Sequence, residues 1–280
     1  MSSFSIPGVS LPSELDSEDL QGVDYLPMPA EMATFRQPLI PEIEDVDQYP
    51  NVLIKLTQLL AMTKDCQCGE RSCTLSLDDL NKDERRLVDQ FLGEGEVGIV
   101  IEGDLNLRIQ ESVLAGIWRV QQFDADNKLQ QDSIEVAAIP RAVLLPINLR
   151  DIKPGNIDND ALMNARPVLS EVIDRNREYA AKQRSHSINL SLLPVNEADI
   201  NWLNERLAYG GVNILSRGYG NCRITRTALA HVWWVQYFNS MDTPILNSIE
   251  ITRIPEVACA AEEDITDSAK RLAGMLEVFE

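Results

Sequence analysis

Gly116-Ile117-Trp118-Arg119-Val120-Gln121-Gln122-Phe123 and His231-Val232-Trp233-Trp234-Val235-Gln236-Tyr237-Phe238 read as one strand written twice, 115 positions apart. The same offset superposes landmarks on both sides without a gap. Leu77 falls on Leu192, Leu92 on Leu207, Gly95 on Gly210, Val97 on Val212, Ile99 on Ile214 and Gly103 on Gly218. Downstream, Ile109 falls on Ile224, Leu114 on Leu229, Ser133-Ile134-Glu135 on Ser248-Ile249-Glu250 and Ile139-Pro140 on Ile254-Pro255. A constant offset over glycine, tryptophan and proline landmarks is the signature of an internal duplication. Two copies are too few for a solenoid, so they are expected to pack on each other and share a core.

Each copy carries the same local signals. A helix over 83–92, and again over 197–207, starts behind the N-cap candidates Asn81 and Asn196 and stops at glycines 93, 95, 210 and 211. A strand follows (97–102; 212–216), then a turn, a long strand (108–123; 222–238) and a third strand (133–139; 248–254) closed by proline. Short links between consecutive strands force an antiparallel meander. The expected fold is α+β: tandem α-β-β-β units forming antiparallel sheet of about six strands, with helices packed on one face.

The rest of the chain is arranged around these units. Residues 1–48 hold six prolines, ten acidic residues and one base, Arg36, and read as a flexible acidic leader. Such a leader either stays without fixed structure or folds onto a partner or onto its own domain. Residues 49–74 give a helix with an apolar face over 51–63 and then a cysteine-rich loop. The first unit spans 75–150, a linker with a charged helix over 166–183 spans 151–187, and the second unit spans 188–280. An amphipathic helix over 264–279 closes the chain, with Ile265, Ala269, Leu272, Ala273 and Leu276 on one stripe.

Composition excludes several functions. The net charge of −19 argues against nucleic acid or an anionic membrane as partner. No apolar run is long enough to insert in a membrane, and no basic region followed by an apolar stretch marks secretion, so the expected location is cytoplasmic. Five cysteines in a reducing compartment are expected as thiols or metal ligands, not as a disulfide framework. Three of them, Cys66, Cys68 and Cys73, surround a glycine. They are candidate ligands for zinc, iron or an iron–sulfur cluster, with Cys222, His186 or a client supplying a fourth, or else plain loop thiols. No hydrolase, zincin or phosphate-loop pattern is present. Gly218-Tyr219-Gly220 joins two strands and does not open a helix, and His186 and His231 are the only histidines. The chain is expected to be non-enzymatic.

The shared apolar framework is structural, so function is sought where the copies differ. The second copy alone carries Arg217, Tyr219, Gly220, Asn221, Cys222, His231 and Trp234; of these, Arg217, Tyr219, Asn221, Cys222, His231 and Trp234, with Arg223 at the end of the same turn, are the candidate partner-binding residues. Alternation puts Trp233 on the core face. Trp234 points the other way and faces either the terminal helix or a client, because its counterpart is Arg119 and an arginine suggests an accessible face.

The second copy's His186-Ser187-Ile188-Asn189-Leu190, Leu193-Pro194-x-Asn196-Glu197-Ala198-Asp199, Arg217-Gly218-Tyr219-Gly220 and Ile254-Pro255-Glu256-Val257 resemble the HupH/HyaF family of hydrogenase accessory proteins. So do Leu92-Gly93-Glu94-Gly95-Glu96-Val97 and Trp118-Arg119-Val120 of the first copy. The resemblance covers residues 75 to 275 and leaves the cysteine cluster outside. It implies a chaperone or assembly factor in maturation of an uptake nickel–iron hydrogenase. The implied partner is a hydrogenase subunit precursor, with the iron–sulfur small subunit a candidate and other maturation proteins as further candidates. The rival reading is a metal- or redox-active protein that uses Cys66, Cys68 and Cys73 to deliver or protect iron, nickel or a cluster.

Overall fold

Asn81 and Asn196 close two helix N-termini in the same way. The Asn81 side chain accepts from the Glu84 amide at 3.0 Å while Glu84 accepts from the Asn81 amide at 2.8 Å. Asn196 and Asp199 exchange the same pair of bonds at 2.8 and 3.0 Å. Each capping box satisfies amides that the first helical turn leaves without partners. The computed structural model describes residues 49–65, 72–152, 161–218 and 220–277. The leader, Cys66, Cys68, Tyr219 and the Pro154-Gly155 loop lie outside the described residues.

The elements follow in chain order. The first half holds α1 (Pro50–Asp65), β1 (Cys73–Ser76), α2 (Lys82–Leu92), β2 (Val97–Ile101), β3 (Leu107–Glu111), β4 (Ile117–Phe123) and β5 (Leu129–Val136), then a one-turn 3-10 helix over Arg141–Leu144. The second half holds α3 (Ala165–Lys182), β6 (His186–Asn189), α4 (Glu197–Leu207), β7 (Tyr209–Ser216), β8 (Asn221–Thr227), β9 (Val232–Phe238) and β10 (Pro244–Ile251), then a 3-10 turn over Glu256–Ala258. A final helix, α5 (Glu262–Leu276), follows.

All pairings are antiparallel in a ten-stranded sheet of order β1-β5-β4-β3-β2-β7-β8-β9-β10-β6. The expectation of about six strands falls short for two reasons. Each expected long strand is a hairpin: the chain reverses at Gly116 (φ 78°) and at His231 (φ 60°), between apolar residues that carry no ordinary turn signature. The four-residue edge strands β1 and β6 are too short to show a period. The edge strands also revise one match. Leu75 pairs with Ile134 and Ile188 with Ile249, so the offset there is 113. Leu77 therefore corresponds to buried Leu190, and Leu192 is 81% exposed.

The halves meet through β2 and β7. Ile99 lies opposite Ile214, Val97 opposite Ser216 and Ile101 opposite Val212. Ile99 and Ile214, 115 apart, thus face each other at the sheet centre, and the pairs on either side of them are arranged as they would be about a local two-fold axis. Gly95 and Gly210 make equal backbone approaches beside it. A Cβ at either would lie 2.2 Å from Ser112 O or 2.1 Å from Thr227 O, so only glycine fits.

Helices cover one face of the sheet, in two separate clusters. In the first, α1 and α2 pack Leu56, Leu59, Leu87 and Phe91 against Ile117 and Ile134. In the second, α3 and α4 pack Val172, Trp202 and Leu203 against Val232, Trp234 and Ile249. The opposite face holds a core shared by both halves, with Ile99, Trp118, Ile214, Trp233 and Val235 at its centre and the links after β5 and β10 beneath. The last helix does not stay with the half it follows. Leu272 and Leu276 of α5 join the first-half cluster beside α1.

Candidate functional site

The strand β8 sends even-numbered residues to the shared core and odd-numbered ones to the helix-covered face. This alternation separates the residues nominated from the sequence. Cys222 is 1% exposed in the shared core, where burial pushes its thiol up to about 12. It is a packed residue, not a contact on a surface. Trp234 is also buried, and its cover is α3 and α4, not the terminal helix. Neither the open client patch nor the terminal-helix cover expected for Trp234 is present. Its Nε1 donates to Asn247 Oδ1.

The accessibility inferred from Arg119 fails for a physical reason. Arg119 is buried, and its guanidinium donates to Asp132 through Nε at 2.6 Å and Nη2 at 2.7 Å. Asp132 is wholly buried and also accepts from Arg85 at 3.3 Å, while Arg119 Nη1 lies 2.9 Å from Asp89. Paired charges can be interior residues.

Three nominated residues do share a region. Arg217 lies in the β7–β8 turn, where its amide donates to Glu96 O at 3.1 Å. Asn221 reaches Asp242 at 3.5 Å, and the Arg223 guanidinium stacks 5.1 Å from the centroid of the Phe238 ring. Arg108, the counterpart of Arg223, stacks 4.5 Å from Phe123, the counterpart of Phe238. Helices lean on the outer strands, α1 on β1 and α3 on β6 and β10. Between them runs a half-buried strip of the sheet bearing both arginine–aromatic pairs with Val100, Gln110 and Asn213. Arg108 was not nominated, although the 115-residue offset pairs it with Arg223.

His231 belongs elsewhere. It sits at the other end of β8, beside a cavity on the shared-core face, and its ring lies 5.1 Å from that of Tyr179. Burial, then the charges of Arg226 and Arg253, depress its proton affinity. Arg226 donates to the carbonyls of Val143, Leu145 and Ile147 at 3.0, 2.6 and 2.8 Å, clamping the link from the first half onto the second. Its first-half counterpart is Glu111, whose carboxyl accepts from the Gly116 amide at 3.1 Å and is raised to about 7, chiefly by burial. This reversal of charge between matched positions was visible in the sequence and was passed over.

Cys73 is disulfide-bonded, contrary to the expectation of free thiols or metal ligands throughout. Among the described residues, no group of three or more His, Cys, Asp or Glu side chains could hold a metal ion. Among them, too, no helix is long and apolar enough to cross a membrane.

The fold thus defines a ten-stranded scaffold with two matched helical clusters and an open polar strip. A family model described as "HupH hydrogenase expression protein, C-terminal conserved region" matches residues 50–153 and 162–279, so one description covers both halves. The chain belongs to this family of hydrogenase expression proteins. It is 45% identical over 262 residues to the hydrogenase expression/formation protein HupQ of Azotobacter chroococcum mcd 1, covering 92% of each chain. It is 38% identical to the hydrogenase expression/formation protein HupH of Rhodobacter capsulatus, over 100% of this chain and 99% of the relative. The hydrogenase-1 operon protein HyaF of Escherichia coli (strain K12) is 35% identical, with 88% of each chain covered. A solved structure, hydrogenase expression protein HupH from Thiobacillus denitrificans ATCC 25259, aligns with a TM-score of 0.38 at 28% identity, over 42% of this chain and 98% of that one.

Proposed function

We propose that this protein is a non-catalytic assembly factor of the cytoplasm that holds a subunit precursor of an uptake nickel–iron hydrogenase, the iron–sulfur small subunit in particular, during maturation. One observation carries the reading: relatives named for hydrogenase expression and formation match this chain across both halves, not across one grafted segment. The proposed contact surface is the central strip of the sheet. Its two arginine–aromatic pairs, Arg108 with Phe123 and Arg223 with Phe238, are related by the 115-residue offset. They join planar aromatic area to a fixed guanidinium, the combination enriched in interface hot spots. A half-buried strip with Gln110 and Asn213 at its floor can hold a chain segment reversibly, as a factor that must later release its client requires.

The test is co-purification from cells that express the hydrogenase. Tagged wild type should retain a subunit precursor, and Arg108→Ala with Arg223→Ala should lower the yield about tenfold or more, since each hot-spot truncation costs on the order of 1–2 kcal/mol. Retention by the double variant at the wild-type level would move the client to another surface. Absence of any hydrogenase subunit from the wild-type eluate would end the assembly reading.

A further inference from the structure

Matched positions in the two halves are filled differently on the shared-core face. In the first half, the segment entering α5 closes over Gly116. A Cβ at Gly116 would lie 2.5 Å from Ile265 Cγ1, and Ala260 N donates to Ala138 O at 2.9 Å. Gly116 and Ala138 correspond to His231 and Arg253. There the corresponding link is drawn aside by Arg226, and Leu145, in the place of Ala260, bonds back to Ala142 at 3.3 Å. The result is a cavity of about 440 Å³ bordered by Arg226, His231, Arg253, Tyr179 and Trp233, and among the described residues no aspartate or glutamate lines it. It is a cationic hollow in a chain of net charge −19.

Two of the residues that border it hold buried donors without acceptors among the described residues. Trp118 Nε1 donates to Ala137 O at 2.8 Å, but the matching Trp233 Nε1 is buried and has no acceptor among the described residues. Arg226 Nε is in the same condition. Buried donors left in this state destabilise a protein by about 1–3 kcal/mol each. A ligand that brings acceptors and negative charge fits this cavity, and one that brings an aliphatic side chain as well fits Tyr179 and Trp233.

The turn that fills the first-half place reads Glu262-Glu263-Asp264-Ile265. The leader contains Glu18-Asp19-Leu20, preceded by Glu14-Leu15-Asp16-Ser17. A related triplet, Glu44-Asp45-Val46, ends three residues before Tyr49. From there it reaches only about 10 Å, and it is tied to α1 over β1, six strands from β8, or about 29 Å. Leu20 is 29 residues from Tyr49 and can span roughly 95 Å.

We propose that the cavity is the docking site of this chain's own residues 14–20, with Leu20 in the place that Ile265 takes in the first half and the carboxylates of Glu18 and Asp19 against Arg253 and His231. Charge favours this occupant, since residues 1–48 hold ten acids and one base. Tethering in the same chain supplies it at high effective concentration. His231, beside Arg226 and Arg253 in this cavity, gains an acidic partner when the segment docks.

The chain has two histidines, so imidazole NMR of the full-length protein follows each one, with His231→Asn assigning the signals. Replacing Glu18→Gln, Asp19→Asn and Leu20→Ser together should lower the His231 pKa by about one unit, a tenfold loss of proton affinity. His186, paired with Glu171 at 2.9 Å, should not move. A synthetic peptide of residues 10–26 should restore the wild-type titration to this variant, and should fail to do so when Arg253→Gln is added. Identical His231 titration in wild type and triple variant overturns the proposal, whatever the peptide does. Restoration that persists with Arg253→Gln overturns the placement in this cavity.

Discussion

Arg119 and Asp132 in the first half, and Trp234 and Asn247 in the second, occupy matched positions under matched helices. One pair is a buried salt bridge extended by Arg85 and Asp89. The other is an indole donating to an amide, with Ile200 and Asn204 in the places of Arg85 and Asp89. The same backbone supports both because the two members of each pair meet across neighbouring strands. The difference also shows that matched positions must be compared as pairs. Arg119 alone suggests an exposed face. Arg119 together with Asp132, set against Trp234 together with Asn247, describes two self-contained ways of filling the same space.

The largest expected effect breaks the first pair. Asp132→Ala leaves buried Arg119 and half-buried Arg85 beside a cavity and should destabilise the protein by about 3–5 kcal/mol. Replacing both partners, Arg119→Met with Asp132→Leu, should cost less than the single change, because neither of the two most deeply buried charges is then left without its partner. Urea unfolding of the three proteins checks the order. If the double variant is the less stable one, the two halves do not share interchangeable solutions.

A second contrast sets Glu111 against Arg226. The Glu111 carboxyl titrates near 7 in the folded protein, above the usual carboxylate range, because it is buried. The folded state therefore holds a proton there that the unfolded state releases from about pH 4.5. Stability falls as pH rises from 4.5 to 7, by on the order of 2–3 kcal/mol in total. Glu111→Gln keeps an acceptor for Gly116 and should flatten that dependence, gaining most at pH 8. Unfolding midpoints at pH 5 and pH 8 decide it. An equal slope in wild type and variant would remove Glu111 as the source.

The smallest effect is on the second-half pair. Trp234→Phe keeps most of the apolar contact but strands Asn247, and should cost about 1–2 kcal/mol. Adding Asn247→Leu should recover part of that loss. Thermal unfolding that shows no recovery would mean the indole contributes through its volume, not its hydrogen bond.

The central architecture was legible because it rests on residues with few alternatives. Gly95 and Gly210 are fixed by a backbone approach that admits no Cβ, and Asn81 and Asn196 by amides that need an acceptor. The hairpin turns were not legible, because Gly116 and His231 enter the left-handed region amid apolar residues without any Asn-Gly or Asp-Gly signal. The nominated site was legible only in part. Arg217, Asn221 and Arg223 fall in one region, but Cys222 and His231 are carried to the other face by strand alternation and hairpin length. Once β8 and β9 are seen as two strands joined at residues 228–231, parity accounts for Cys222, and the turn accounts for His231 at the far end of β8.

The path of α5 bears on how the protein is made. The first-half cluster contains Val136 and also Leu272 and Leu276. At roughly 5–20 residues per second, a ribosome needs about 7–28 s to add the 140 residues from Val136 to Leu276. The half synthesised first is therefore completed last, and any message truncated before codon 262 yields a chain whose older half lacks its closing helix.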